Sequence, residues 1–224
     1  MVLDLLRGGL IVSVQAWPGS ALDDPPVIAA MARAAQDGGA VAVRIQGVEN
    51  LRAARERVAL PIVGLLKRVY VDFEPYITPT LDEIAAVIST GAEIVAFDAT
   101  ARARPDGSSL LDAVIAVHDA GRIALADCST VDDATAAVAA GADAIATTLC
   151  GYTAQTTGRP LPALDATAEM ARLGRFTICE GGVRTPEQVR AALDSGADAV
   201  VVGTAITNVD WLVREFAGAT RESS

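Results

Sequence analysis

A short phrase recurs four times along the chain: a glycine-alanine pair followed at once by an apolar run rich in β-branched residues. The pairs begin at Gly39, Gly91, Gly141 and Gly196, so the intervals are 52, 50 and 55 residues. Each time a helical pattern ends in glycine and a strand pattern follows, which is typical of the junction between a helix and a buried parallel strand. The chain is therefore predicted to repeat one structural unit.

Four further apolar runs lie between these repeats and bring the number of predicted strands to eight. The predicted strands are 10–14, 41–44, 62–66, 94–98, 123–126, 144–148, 176–179 and 199–203. Segments with apolar residues at every third or fourth position alternate with them, at 28–35, 81–88, 110–117, 131–139 and 186–193. This alternation predicts an α/β fold of the (β/α)8, or TIM barrel, type. An open doubly wound sheet is the alternative, which the regular recurrence disfavours.

The length predicts a single domain. Barrels of this type commonly run to roughly 200–250 residues as one unit, and the chain has 224. We expect the barrel over residues 1–217 and a short tail at 218–224. The longest interruption, 149–162, is rich in glycine, threonine and proline and is predicted to be a loop over the barrel mouth.

The net charge of −10 predicts that neither nucleic acids nor anionic membranes are partners, because the field of the protein would repel both. No uncharged apolar run reaches the roughly 18 residues of a membrane span, and the start of the chain does not resemble a signal peptide. Three cysteines without framework spacing, Cys128, Cys150 and Cys179, favour reduced and buried thiols. We therefore expect a cytoplasmic protein.

A single histidine, His118, lies in a predicted outer helix. Histidine-rich metal centres and Ser-His or Cys-His nucleophile pairs cannot be built from one such residue. No metal site is expected.

Lysine is also represented once, by Lys67, against seventeen arginines, and it follows the apolar run 62–66. Arginine stays protonated in proteins, whereas a desolvated lysine can lose its proton and act as a base or form a Schiff base. The alternative is an ordinary solvated lysine. Its place after a predicted barrel strand favours a chemical role.

Polar residues stand at the carboxyl end of almost every predicted strand, where the side chains of a barrel surround one pocket. In chain order they are Gln15, Arg44, Lys67, Asp98, Asp127, Thr147 or Thr148, and Glu180. Burying so many polar groups without a ligand would be unfavourable, so they predict one polar site. Alternatively, Asp98 and Asp127 cap the following helices or pair with Arg44.

Glu180 and Lys67 follow strands seven and three, which are opposite one another in an eight-stranded barrel. Two titratable groups placed across a substrate can remove a proton from one face of a carbon and return it to the other. That is the requirement of an epimerase.

A second pattern at the mouth involves glycine. Gly181 and Gly182 follow strand seven, while Gly203 and Thr204 follow strand eight. Glycines allow backbone N–H groups to approach an anion, and barrels commonly bind phosphate at these two positions. These four residues are therefore predicted to bind phosphate.

The chain resembles the N-acylglucosamine-6-phosphate 2-epimerases, which interconvert N-acetylmannosamine 6-phosphate and N-acetylglucosamine 6-phosphate in bacterial sialic acid and amino-sugar metabolism. The resemblance spans Gly8 to Thr207 and rests on the segments GGLIVSVQA, PIVGLLKR with Tyr70, YITPTLDE, VAFDATARARPDG, ADCSTVDDA, IATTLCGYT, EGGVRTPEQ and VVVGTAIT.

The resemblance implies a (β/α)8 barrel, a phosphorylated N-acyl amino sugar as substrate, no organic cofactor or obligatory metal, and a homodimer. It places the catalytic pair at Lys67 and Glu180. Substrate contacts are implied for Gln15, Arg44 and Asp127, together with Tyr152 of the segment TLCGYT.

The chain departs from the family pattern at three places. Asn208 stands where the family commonly has arginine after the last phosphate loop, so a charge-assisted contact is lost there. Two alternatives are open: Arg184 or Arg159 compensates, or phosphate binding is weaker. Residues 45–47 read Ile-Gln-Gly instead of Ala-Asn-Gly, and Val69 replaces a common acidic residue.

Two other functions remain open at this point. Lys67 could form a Schiff base in a class I aldolase or lyase, or the chain could bind phosphosugars without catalysis. A metal-dependent phosphosugar epimerase is disfavoured because such sites usually need histidines. For Lys67 to act as a base, its pKa must fall toward roughly 7–8, which burial and the nearby Arg68 would assist.

Overall fold

The structure, a computed structural model, describes residues 2–17 and 19–220. Its eight strands are β1 (Gly9–Val14), β2 (Ala42–Gln46), β3 (Ile62–Leu65), β4 (Ile94–Asp98), β5 (Ile123–Asp127), β6 (Ala144–Ala146), β7 (Phe176–Glu180) and β8 (Ala199–Val202). The helices are α1 (Val2–Leu6), α2 (Pro25–Asp37), α3 (Val48–Arg55), α4 (Leu81–Ile88), α5 (Leu110–Asp119), α6 (Val131–Ala139), α7 (Leu164–Ala171), α8 (Pro186–Asp194), α9 (Thr204–Thr207) and α10 (Val209–Ala219).

The strands form one closed parallel barrel in the order β1 to β8. β8 pairs with β1, with Ile11 opposite Val201, and this pairing closes the sheet. The predicted (β/α)8 barrel is confirmed and the open sheet is wrong. Strands β3 and β7 therefore stand on opposite sides of the barrel axis.

The recurring glycines act at the junctions between helices and strands. Gly39, Gly91, Gly141 and Gly196 all have φ between 84° and 101°, a left-handed conformation that glycine adopts without steric penalty. Each helix ends two or three residues before its glycine, and the chain can turn there into the next strand. This confirms the repeat inferred from sequence.

Helix starts are fixed by side-chain caps. Thr80, Ser109 and Thr130 each form a reciprocal capping box with an acidic residue three positions later, which satisfies backbone N–H groups that have no partner inside the helix. At the start of α8, the Thr185 hydroxyl accepts from the Gln188 N–H.

The apolar core has two layers. Inside the barrel, Ile11, Val63, Leu65, Leu125 and other strand residues form one cluster. The alternate strand residues point outward and pack against the helices. All three cysteines are buried and free, as predicted.

The last helix, α10, differs from the others because none of its residues is buried. It extends to Ala219 and therefore includes the first two residues of the predicted tail; residues 221–224 lie outside the described part. No helix among the described residues is both long and apolar enough to cross a membrane.

Candidate active site

The polar residues at the barrel mouth continue the pattern in which every second side chain of a strand faces the barrel interior. Ala42, Leu125 and Ile178 belong to the interior layer, and Arg44, Asp127 and Glu180 come two residues after them. Because side chains two apart in a strand share a face, these three groups form the next interior layer toward the carboxyl ends. The sequence thus requires charge directly above an apolar core.

Above this layer lies a cavity of about 590 Å³. Residues from nearly every side of the barrel line it, namely Ser13, Gln15, Ala16, Trp17, Gln46, Lys67, Tyr76, Thr148, Tyr152, Glu180, Gly181, Gly182, Val183, Arg184, Val201, Gly203, Thr204, Thr207 and Asn208. Eight of the ten predicted site residues are among them. Arg44 and Asp127 are not, because they lie beneath the cavity.

Arg44 and Asp127 form a bidentate ion pair in the barrel interior. Their side chains are 1% and 0% exposed, and the two guanidinium–carboxylate distances are 3.2 and 2.5 Å. This is the pairing that the sequence left open as an alternative for Asp127. Arg44 also lies 3.3 Å from Glu180 Oε2, so one guanidinium contacts both carboxylates.

Thr148 connects the same two carboxylates. Its Oγ1 lies 2.6 Å from Asp127 Oδ1 and 3.1 Å from Glu180 Oε2. The neighbouring Thr147 holds the Glu180 backbone, since its hydroxyl accepts from the Glu180 N–H and donates to the Glu180 carbonyl. Of the two threonines predicted for this position, Thr148 reaches the cavity.

Glu180 is 13% exposed and has a raised pKa. Burial is the largest cause, and the nearby Asp127 anion adds to it, while Arg44, the Thr148 hydroxyl and Lys67 oppose it. The site therefore favours a protonated Glu180 more than water does.

Lys67 follows β3 and forms an antiparallel bridge to Ile77. It forms no ion pair with any residue that the structure describes. Its side chain is open to the cavity, but protein encloses it on the other sides, and this desolvation lowers its pKa. The cation that assists is Arg44, whereas the expected Arg68 is turned toward Glu83.

Tyr76 is a lining residue that the sequence analysis missed. The segment between β3 and α4 folds back on itself, so that Arg68 N–H donates to the Tyr76 carbonyl and Asp98 N–H donates to the Ile77 carbonyl. The fold-back brings Tyr76 to the cavity, where burial raises the pKa of its phenol. The dipeptide Pro75-Tyr76 has no strand or helix periodicity that could have indicated this position.

Gln15 presents an unpaired acceptor at the cavity. Its side-chain nitrogen donates to Ser13 Oγ at 2.8 Å, while its Oε1 is buried and has no hydrogen-bond partner among the described residues. A buried oxygen of this kind is normally satisfied by a ligand or water.

The four predicted phosphate-binding residues meet at one end of the cavity. None of the backbone N–H groups of Gly181, Gly182, Gly203 and Thr204 donates to a residue within the described ranges. Gly182 must be glycine for two reasons: its φ is 70°, and a Cβ there would come 2.4 Å from Leu161 Cβ. We call the N–H groups of these four residues the anion cradle.

Tyr152 lies in the loop between β6 and α7, as predicted. It is half exposed at the cavity rim, and its ring would contact a Cβ at Gly181 at 3.4 Å. Asp98, in contrast, does not reach the cavity: its carboxylate accepts from Thr100 and pairs with Arg102.

A closed (β/α)8 barrel with a polar cavity at the carboxyl ends of its strands has the architecture of a barrel enzyme. Within that class the chain belongs to the NanE family, whose model, described as "Putative N-acetylmannosamine-6-phosphate epimerase", matches residues 28–222. This confirms the family resemblance.

Known proteins are similar in sequence to this chain over nearly its whole length. The structure of the N-acetylmannosamine-6-phosphate 2-epimerase from Clostridium perfringens is 40% identical, with a TM-score of 0.95 over 98% of this chain and 96% of that one. A Klebsiella pneumoniae protein of the same description is 47% identical over 92% of this chain and 87% of its own length. The "Bifunctional enzyme NanE/NanK" of Brucella melitensis is 44% identical, covering all of this chain and 43% of the longer protein.

Proposed function

We propose that this protein is an isomerase that interconverts N-acetylmannosamine 6-phosphate and N-acetylglucosamine 6-phosphate by removing and returning the proton at carbon 2. The observation that carries the proposal is the pair formed by Lys67 and Glu180, which follow opposite strands of the barrel and line one cavity. Membership of the NanE family supports the choice of substrate.

The chemistry requires an open-chain sugar, in which carbon 2 is α to the aldehyde. One group of the pair removes the proton from one face, and the other delivers a proton to the opposite face. Neutral Lys67 with protonated Glu180 serves one direction. The step leaves protonated Lys67 and ionised Glu180, which is the pair required for the reverse direction.

The pKa shifts favour this exchange. In water the ionised pair is preferred by about six pKa units, the difference between lysine and glutamic acid. Burial lowers the pKa of Lys67 and raises that of Glu180, so both shifts bring the two protonation states closer in free energy. The neutral pair is therefore less unfavourable at this site than it would be in water.

The hydroxyl of Thr148 can serve both protonation states of Glu180. One hydroxyl proton can serve only one carboxylate at a time, and Thr148 Oγ1 is closer to Asp127 than to Glu180. When Glu180 carries a proton, it can donate to Thr148 while Thr148 donates to Asp127; when Glu180 is ionised, the Thr148 hydroxyl can donate to it instead.

The remaining groups position the substrate. The unpaired Gln15 Oε1 suits the N–H of the acetamido group, Tyr152 covers the sugar at the rim, and the anion cradle receives the phosphate. Arg44 and Asp127 lie below the cavity. They therefore act on the reaction indirectly, by holding Glu180 and Thr148 in position.

The decisive experiment is incubation with N-acetylmannosamine 6-phosphate in D2O, followed by NMR. We expect N-acetylglucosamine 6-phosphate with deuterium at carbon 2, and loss of both product and exchange in Lys67→Ala and Glu180→Gln. Absence of exchange in the folded wild-type protein would contradict the proposal and favour a phosphosugar-binding protein without catalysis.

Borohydride trapping distinguishes the aldolase or lyase alternative from the proton-transfer proposal. A Schiff base on Lys67 would be reduced to a stable substrate adduct that mass spectrometry locates on that residue. The proton-transfer proposal expects no adduct.

The homodimer and the cytoplasmic location belong to the same proposal. Val209, Val213 and Phe216 form an apolar stripe on α10 that no described residue covers, and a second copy would cover it. Three reduced cysteines suit the reducing cytoplasm.

A further inference from the structure

Two cationic side chains line the cavity, Lys67 and Arg184. Lys67 follows β3, whereas Arg184 comes two residues after Gly182, at the anion cradle. Within the described ranges, no carboxylate forms an ion pair with Arg184. The cradle therefore has an uncommitted positive charge beside it.

The guanidinium of Arg184 is held by an aromatic ring. Its Cζ lies 5.0 Å from the centre of the Trp211 ring, at the start of α10. Guanidinium groups stack on aromatic faces while their N–H donors stay free in the plane of the group. Trp211 can thus restrict the side chain without occupying its donors.

Two other residues near the cradle, Arg159 and Asn208, do not offer a free charge to the phosphate. Arg159 pairs with Asp165 at 2.6 Å and is not a lining residue. The Asn208 side chain accepts from the Trp211 N–H and caps α10.

We propose that Arg184, stacked on Trp211, forms the charge-assisted contact to the substrate phosphate and makes the enzyme selective for phosphorylated over unphosphorylated N-acyl amino sugars. This inference rests on the proposed function and names a residue that determines its specificity. Arginine suits the task because its planar fork can donate two parallel hydrogen bonds to phosphate oxygens.

The test compares Arg184→Gln with the wild-type protein on N-acetylmannosamine 6-phosphate and on N-acetylmannosamine. We expect KM for the phosphorylated sugar to rise about tenfold, as losing one partly exposed charged contact of about 1.4 kcal/mol implies. We expect kcat to stay within about twofold and kcat/KM for the unphosphorylated sugar to be unchanged. Arg184→Lys should fall between the two proteins.

Two further variants separate a specific contact from a general loss of charge. Arg159→Gln removes an equal charge outside the cavity and should leave the kinetic constants for both sugars unchanged. Trp211→Leu removes the platform and should raise KM for the phosphorylated sugar alone, by a smaller factor than Arg184→Gln. An equal loss on both sugars in folded Arg184→Gln, or no loss on either, would overturn the proposal.

Binding measured by calorimetry keeps this test independent of turnover. If the wild-type protein fails to epimerise the sugar but binds N-acetylmannosamine 6-phosphate about tenfold more tightly than Arg184→Gln does, the proposed function fails and the role of Arg184 stands. Equal affinities would reject Arg184 whatever the catalytic result.

Discussion

At the scale of single residues, the groups proposed for catalysis occupy environments that oppose their usual charge. Glu180 lies in a buried layer beside the Asp127 anion, and the net effect raises its pKa. A carboxyl whose pKa is raised in the folded state is less stable there once it ionises, so the folded protein is destabilised as the pH rises above the unfolded pKa.

We therefore predict that Glu180→Gln increases the free energy of unfolding at pH 7. Glutamine resembles the protonated carboxyl, which the site favours. The gain should disappear as the pH falls below about 4.3, where glutamic acid is protonated in the unfolded chain as well. Urea unfolding of both proteins between pH 4 and 8 measures this difference; a loss of stability at pH 7 would contradict the sign of the shift.

Thr148→Val is predicted to lower kcat about tenfold with little change in KM. Valine keeps the volume of the side chain but removes the oxygen that contacts Asp127 and Glu180, a loss of about 1–2 kcal/mol. Thr135→Val removes an exposed helical hydroxyl that bonds only to the Val131 carbonyl, and it should retain full activity. Steady-state kinetics on the three proteins decides the matter.

Most of these residues could be predicted from the sequence, because the alternation of inward and outward side chains along each strand assigns them to the barrel interior. Glu180 and Gln15 are predictable from counting along β7 and β1, where every second residue faces inward. The same rule placed Asp98 at the mouth, but local partners Thr100 and Arg102 turn its carboxylate away. The pairing of Arg44 with Asp127 depends on distances across the barrel, which spacing along the chain does not give.

At the scale of elements, the turns after β7 and β8 shape the anion cradle. Gly182 packs against the Leu161 side chain with no room for a Cβ. The loop that contains Leu161 and the turn that contains Gly182 therefore determine one another's position.

Gly182→Ala should destabilise the protein by about 2–4 kcal/mol and weaken phosphate binding. The matched control is Gly107→Ala, where φ is 72° but nothing lies within 4 Å of the added Cβ. That variant should lose only the backbone term of about 1–2 kcal/mol. The difference between the two free energies of unfolding isolates the contact with Leu161, and equal losses would show that the turn adapts.

The loop 149–162 is anchored by three buried hydroxyls. Ser129, Thr153 and Thr156 contact one another at 2.6 to 2.9 Å, and Thr156 also accepts from the Gly151 N–H. This cluster fixes the loop directly beside Tyr152.

Thr156→Val is predicted to open the loop locally, because it leaves the Gly151 N–H without its acceptor and removes one partner of each of the other two hydroxyls. A loss of about 1–3 kcal/mol should appear as hydrogen exchange at Gly151 and Tyr152 that is about 5- to 150-fold faster, with the barrel strands unchanged. Thr157→Val removes a hydroxyl that donates to the Thr153 carbonyl. Because that carbonyl also accepts from two backbone N–H groups, the exchange rates should stay as they are. The sequence indicated a loop here. It did not indicate that Ser129, which follows β5, contacts Thr153 and Thr156, which follow β6, because that contact depends on the folded barrel.

At the scale of the whole molecule, the 50–55-residue repeat was sufficient to predict the barrel. Each repeat contributes two strands that cannot bury both faces alone, so four repeats close into one sheet with helices outside. The sequence did not predict how α10 lies relative to the barrel. Its apolar positions resemble those of the other helices, yet none of its residues is buried.

This difference leads to a prediction about assembly. Val209, Val213 and Phe216 are spaced by four and three residues and so share one face of α10, and Phe216 is 74% exposed. A helix of 11 residues is only marginally stable in water without packing. We therefore predict that a second copy of the chain covers the stripe.

We expect the wild-type protein to sediment as a dimer and Val213→Glu to sediment as a monomer at micromolar concentration. A carboxylate in the centre of the stripe would have to be buried unpaired in the interface, and the unfavourable desolvation exceeds what the remaining apolar contacts contribute. Leu111→Glu, which places the same charge on the exposed face of α5, should remain dimeric. A wild-type monomer, or a Val213→Glu dimer as tight as the wild type, would show that α10 does not form the interface, whereas dissociation confined to Val213→Glu locates the contact on the stripe.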